Sequence, residues 1–139
     1  MTQRIQRRRT PGWRMPPGVR YVGRGSRWGN PWSLERNPDR AGDQWFALYD
    51  TPIGPWDGPF PTKRAATEAA VRLYAESLRS GGLCQPEDFP AWIGPLVGRD
   101  LACWCPLVGD DGQPWPCHAD ILLTLAAEEA EVMVGADPR

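Results

Sequence analysis

Three of the four cysteines and the only histidine of this chain fall between Cys103 and His118, and the residues around them ask for a strand, a loop and a helix. Leu101 to Cys105 is a short apolar run bounded by Gly98 and Pro106, the pattern of a buried strand. Pro116 stands where a helix accepts proline, at its first position, and Ile121, Leu122, Leu125 and Ala126 supply an apolar stripe. A fold that joins these elements through a short loop brings Cys103-Trp104-Cys105 and Pro116-Cys117-His118 to one point. Thiolate and imidazole suit a soft or borderline metal, and they are also the commonest protein nucleophile and base.

Three readings of that point stay open. As a metal site, Cys103, Cys105, Cys117 and His118 form the Cys3His set of a structural zinc, with gaps of one and zero residues where two to four are usual. In an extended strand the two sulfurs of Cys103 and Cys105 share a face roughly 7 Å apart, whereas donors on one tetrahedral zinc lie about 4 Å apart. Adjacent Cys117 and His118 on a helix diverge by about 100°. As a reactive site, Cys117 at a helix N-terminus has its thiol pKa lowered by the positive end of the dipole. His118 would then carry a proton, and Asp120 would orient an imidazole or a sugar hydroxyl. As plain packing, the cysteines are small apolar residues under the last helix and His118 caps it. Cys84, after Gly81-Gly82, is read as an ordinary packed thiol.

The second constellation is Gly23-Arg24-Gly25-Ser26-Arg27-Trp28-Gly29-Asn30-Pro31-Trp32, a turn-rich loop leaving the strand candidate Val19 to Val22. It lacks the third glycine of the dinucleotide fingerprint and the Gly-Lys-Ser/Thr of a P-loop. Arg24 and Arg27 can grip phosphate or carboxylate, Ser26 and Asn30 can bond a sugar or base, and Trp28 and Trp32 can stack on a planar ring. The opposing reading is a turn whose two tryptophans fold back to seal a core.

Charge is polarised although the net value is −1: residues 1–40 hold ten arginines against Glu35 and Asp39. Arg7-Arg8-Arg9 with Pro11, Pro16 and Pro17 make residues 1–18 too polar and proline-rich to pack alone, so a flexible basic arm is expected there. Such an arm suits nucleic acid or a host protein. No apolar run approaches the ~20 residues of a membrane span, no secretory h-region follows the arginines, and a cytoplasmic location with reduced thiols is expected.

Thr62 as N-cap, then Ala66, Ala70, Leu73, Tyr74 and Leu78 at helical spacing, with a stop at Gly81-Gly82, predict a helix over 62–79. A short helix is expected over 87–93 and the last over 117–133, with a tail at 135–139. Gln44 to Tyr49 reads as helix or strand, and Thr51 to Pro61, with four prolines and two glycines, reads as loop. The expected fold is one small α/β domain over 19–134, two or three layers deep, with a short, mostly parallel sheet and about three helices.

The paired motifs, Val22-Gly-Arg-Gly-Ser-Arg-Trp-Gly-Asn-Pro-Trp32 and Gly98-Arg-Asp-Leu-Ala-Cys-Trp-Cys-Pro106 with Pro116-Cys-His-Ala-Asp-Ile-Leu122, together resemble a small family of phage and bacterial proteins known only as a domain of unknown function. The resemblance runs from about Arg14 to Ala126. It implies a phage or phage-like origin and a compact α/β domain, and it supplies no established activity. A second uncharacterised family also opens its final helix with Cys-His-Arg, where this chain has Ala119, a likeness of layout alone.

From the residues, the leading expectation is a protein that binds a nucleotide, nucleoside or other small phosphorylated ligand between the 23–32 loop and the start of the last helix. Cleavage or transfer at a glycosidic bond is the reaction class expected if it is an enzyme, with Cys117, His118 and Asp120 as the reacting groups. The alternative is a noncatalytic zinc-stabilised module. Both need the two motifs to open onto one cleft.

Overall fold

A computed structural model describes residues 2–37, 44–49 and 55–135. In chain order the strands are β1 (Arg4–Gln6), β2 (Arg20–Tyr21), β3 (Trp32–Asn37), β4 (Gln44–Tyr49), β5 (Trp56–Phe60) and β6 (Leu101–Cys103). The helices are α1 (Lys63–Arg79), α2 (Phe89–Ile93) and α3 (His118–Gly135). The α/β class, the parallel sheet and the three helices match the expectation from sequence.

Strand β6 is buried at all three positions, as its apolar run requires. It is the centre of the parallel sheet, with β1 and β2 on its two sides; Ile5 and Tyr21 both stand in register with Ala102. This corrects the reading of residues 1–18 as a loose arm. The central strand must fill its ladder on both edges, and β1 supplies one of them, continued by Arg7 N–H donating to Cys103 O at 2.7 Å.

A second, antiparallel sheet runs β3-β4-β5, which the sequence did not announce. Gln44 to Tyr49 is strand, and residues 56–60 are strand where loop was expected. Residues 51–54 of that stretch lie outside the described residues, as does the tail beyond Gly135. Pro59 is tolerated because β5 is an edge strand, and the pairing slips between Trp45 and Ala47.

Thr62 caps α1 by accepting from Ala65 N–H, as its position predicts. The helix packs across β3, β4 and β5 and also meets α3. Its small buried residues Ala66, Ala69 and Ala70 allow that close approach. Ala70 belongs to a core with Trp32 and Ala47, whereas Tyr74, one turn on, belongs to the larger core with Val22, Trp28, Leu101, Cys103 and Leu122. Helix α1 therefore joins the two cores, and a seam runs between them. Helix α2 is flanked by single 3-10 turns at Pro86–Asp88 and Gly94–Leu96, the second set by Pro95. No helix among the described residues is long and apolar enough to cross a membrane.

Candidate functional site

The sulfurs of Cys103, Cys105 and Cys117 all lie within 4.8 Å of one another, and those of Cys103 and Cys117 are 3.1 Å apart. The 7 Å separation expected for Cys103 and Cys105 is not found, because β6 ends at Cys103 and the chain bends through Trp104 and Cys105. The three could hold a metal ion. Without one, Cys103 is the thiol of the three that ionises most readily. Hydrogen bonds from Cys105 and Cys117 hold its pKa far below the usual thiol range, and the same bonds push the donors up, Cys105 to about 11. This reverses the expectation for Cys117, whose thiol is raised rather than lowered. The helix dipole is outweighed by a thiolate in direct contact.

Helix α3 begins at His118, so Cys117 stands in the cap position and its sulfur accepts from Ala119 N–H at 3.5 Å. The 100° divergence expected of two helical neighbours does not apply to a residue outside the helix. The His118 ring is buried, which pushes its pKa down and keeps it neutral. Its Nε2 lies 2.7 Å from Val22 O. A carbonyl only accepts, so Nε2 carries the proton and Nδ1 presents a bare lone pair, 3.8 Å from Cys117 Sγ. Tyr74 packs edge-on against the ring at 5.1 Å.

Arg4, absent from the sequence-based candidates, holds this wall together. Its side chain is only 7% exposed, and it donates to Pro106 O and Trp115 O, each at 2.9 Å, and to Cys105 O at 3.3 Å. Its Nε faces Asp120 Oδ1 at 3.4 Å. The guanidinium thus closes both ends of the loop between Cys105 and Cys117. The only signal for it was Arg4-Ile5-Gln6 as a strand-like triplet, masked by the arginine- and proline-rich residues around it. Asp120 is directed to Arg4 and away from the His118 ring, so it does not orient the imidazole as the sequence suggested.

On the opposite wall, the loop after β2 is wound by Ser26 N–H and Oγ, which both donate to Gly23 O, and by Gly29 N–H donating to Ser26 O. Gly29 is required there: a Cβ would stand 2.8 Å from Gly23 O. Trp28 is buried and donates its indole N–H to Trp92 O, while Tyr74 OH donates to Trp28 O. Trp28 is therefore core, in line with the sealing reading and not with a stacking surface. Arg27 stacks on the Trp28 ring and lines a different cleft, beside Gly82 and Trp92. Asn30 bridges α1 and β3, donating to Ala70 O and accepting from Trp32 N–H.

The two walls meet at the seam between the cores. A pocket of about 210 Å³ is lined there by Gly23, Arg24, Asn30 and Trp32 on one side and by Cys103, Trp104, Cys105 and His118 on the other. Of the sequence-predicted residues, Arg24, Asn30 and Trp32 reach it with Cys103, Cys105 and His118; Ser26, Arg27, Trp28, Cys117 and Asp120 do not line it. Two donors in it are available. Trp32 Nε1 is buried with no hydrogen-bond partner among the described residues. Arg24 is exposed, its one contact a 3.4 Å approach to Trp32 O.

No curated protein and no solved structure matches the chain. The model of the family described as Domain of unknown function (DUF4326) matches residues 5–128, from β1 into α3 and so across both walls of the pocket, and the chain belongs to that family.

Proposed function

We propose that the protein binds a small phosphorylated ligand of the nucleotide or sugar-phosphate class in the pocket between Arg24 and His118. The observation that supports this most is the Trp32 indole N–H, buried without a partner in a pocket that also holds Arg24. A buried unpaired donor costs about 1–3 kcal/mol, and a ligand oxygen accepting from it relieves that cost. Arg24 neutralises the ligand's charge, and the rings of Trp32 and Trp104 offer flat apolar surface. A volume of about 210 Å³ is below that of drug-sized sites and suits one sugar-phosphate or one base. The proposal is for binding. Among the described residues, the pocket lining includes no carboxylate of the kind a glycosidic cleavage needs.

A thermal-shift panel of ribose 5-phosphate, adenosine and uridine monophosphates, and inorganic phosphate tests it. Stabilisation by at least one of the organic phosphates is expected, abolished in Arg24→Ala. Trp32→Phe should leave the free protein as stable or more stable, since it deletes an unpaired donor, while weakening the ligand about tenfold. No shift with any organic phosphate, or a shift insensitive to both variants, rejects the reading.

A second reading is favoured by the sulfur geometry and is compatible with the first. Zn²⁺ would be held by Cys103, Cys105 and Cys117, with His118 Nδ1 beside Cys117 and outside the group whose donors all lie within 4.8 Å of one another. The S···N separation of 3.8 Å at Cys117 and His118 is close to the edge of a tetrahedral site. The Nε2–H bond to Val22 O is the outer contact that orients a ligating imidazole. Elemental analysis should find one zinc per chain, and chelation should lower the melting temperature. A metal-free protein whose melting ignores chelators rejects this reading.

A further inference from the structure

The pocket is too small for a whole nucleotide, and what borders its mouth is basic and aromatic. Trp104 lines the pocket and is also 39% exposed on the surface beside it. The Arg9 guanidinium lies over the Trp104 ring at 4.9 Å. Arg7 lies between two rings, 5.0 Å from Trp104 and 4.8 Å from Tyr21. Tyr21 OH in turn donates to Arg24 O, which returns the path to the pocket wall. The result is a continuous arc, Arg9, Trp104, Arg7, Tyr21, Arg24, around the opening.

None of Arg7, Arg9 or Arg24 has a carboxylate partner among the described residues, whereas Arg4, Arg64 and Arg72 each do. Three unneutralised guanidiniums interleaved with two rings match the demands of a single strand: phosphates every nucleotide and bases with two flat faces. The arc is also held in place. Arg7 N–H donates to Cys103 O, and Tyr21 is in register with Ala102, so both sit on the parallel sheet and not on a free tail.

From this we infer that the ligand is a single-stranded nucleic acid, with the pocket taking the base or the sugar-phosphate of one nucleotide unit and the Arg9-Trp104-Arg7-Tyr21 arc carrying its neighbours. The inference rests on the pocket reading above. It identifies the partner as a polymer whose flanking phosphates lie on Arg7 and Arg9 and whose adjacent base stacks on Trp104 in place of the Arg9 guanidinium, which the phosphate draws off the ring.

The test uses the full chain with decauridylate and decathymidylate, the corresponding monophosphates, and a decaglutamate peptide, read by fluorescence anisotropy and calorimetry at several salt concentrations. Either decamer should bind at least tenfold more tightly than its monophosphate, and the stronger of the two identifies RNA or DNA. The double variant Arg7→Ala/Arg9→Ala should weaken the decamer at least tenfold and lower its salt slope by about 1.4, at roughly 0.7 per phosphate contact. It should leave monophosphate binding within about twofold. Trp104→Ala should weaken the decamer roughly 5- to 150-fold. Arg9→Ala alone, at an exposed residue outside the sheet, keeps the test valid if the double variant fails to fold.

A decamer no tighter than its monophosphate overturns the inference and leaves the pocket reading standing. Equal binding of decaglutamate overturns it in favour of an acidic protein partner. A decamer that binds independently of Arg24 and Trp32 keeps the arc and removes the pocket. Binding of neither decamer nor monophosphate ends both.

Discussion

On the wall made by β6 and the start of α3, the polar groups are engaged: the Cys103 and Cys117 sulfurs lie 3.1 Å apart, His118 bonds Val22 O, and Arg4 ties both ends of the intervening loop. On the wall made by the loop after β2, Trp32 Nε1 has no hydrogen-bond partner and the Arg24 guanidinium one long contact among the described residues. Yet the backbone of that second wall is as firmly wound as the first, through Ser26, Gly29 and Asn30. The difference is therefore not one of order. One wall uses its polar groups to hold itself, and the other holds itself by its backbone and keeps two donors for something else.

That contrast can be broken by substitution. The largest effect is expected for Cys117→Ser, which replaces a 2% exposed sulfur 3.1 Å from that of Cys103: a loss of about 2–4 kcal/mol in urea unfolding, with any bound metal lost. Cys84→Ser, outside the centre, should change stability by less than about 0.5 kcal/mol. Arg4→Met comes next, at about 2–3 kcal/mol, because it strips charged donors from the Pro106 and Trp115 carbonyls; urea unfolding measures the loss, and faster proteolysis within the 106–115 loop locates it. Tyr74→Phe removes the 2.7 Å bond to Trp28 O and should cost about 1–2 kcal/mol, measured the same way. Arg24→Ala should move stability least, within about 0.5 kcal/mol, while abolishing the ligand-dependent thermal shift. A variant at Arg24 that destabilises as much as one at Arg4 would erase the distinction between the walls.

The elements legible in the sequence are those whose signal is local. The periodicity of α1, its Thr62 cap, the apolar run of β6 and the proline before α3 each reflect contacts within a few residues. Strands β3 to β5 were not legible as a meander, because Glu35 and Arg36 interrupt the alternation of β3 and Pro59 reads as a break until β5 is known to be an edge. Strand β1 was hidden for a different reason. Its only partner in the sheet is β6, and Ile5 meets Ala102 across nearly the whole chain.

The candidate site divides the same way. That the cysteines draw together followed from spacing, whereas the glycine loop as the facing wall was a condition of the reading that only the fold could meet. Which side chains face the pocket did not follow from spacing either. Trp28 and Trp32, and Arg24 and Arg27, are near neighbours alike in chemistry, and Asp120 and His118 are near neighbours that the sequence offered to one centre. The loop's winding and the start of α3 send one of each pair inward and the other elsewhere.

Taken alone, then, the order of residues determined the α/β class, the convergence of the cysteines and the two motifs that frame the pocket, since these follow from short-range periodicity and from what each side chain can bond. Tertiary structure alone decided that the amino-terminal residues complete the sheet, that Arg4 clamps the cysteine loop, that Cys105 bends back to join Cys103 and Cys117, and that Trp32 has a donor unpaired among the described residues. Those outcomes depend on which distant groups come within bonding distance and which are sealed from water, and neither quantity exists until the chain has closed on itself.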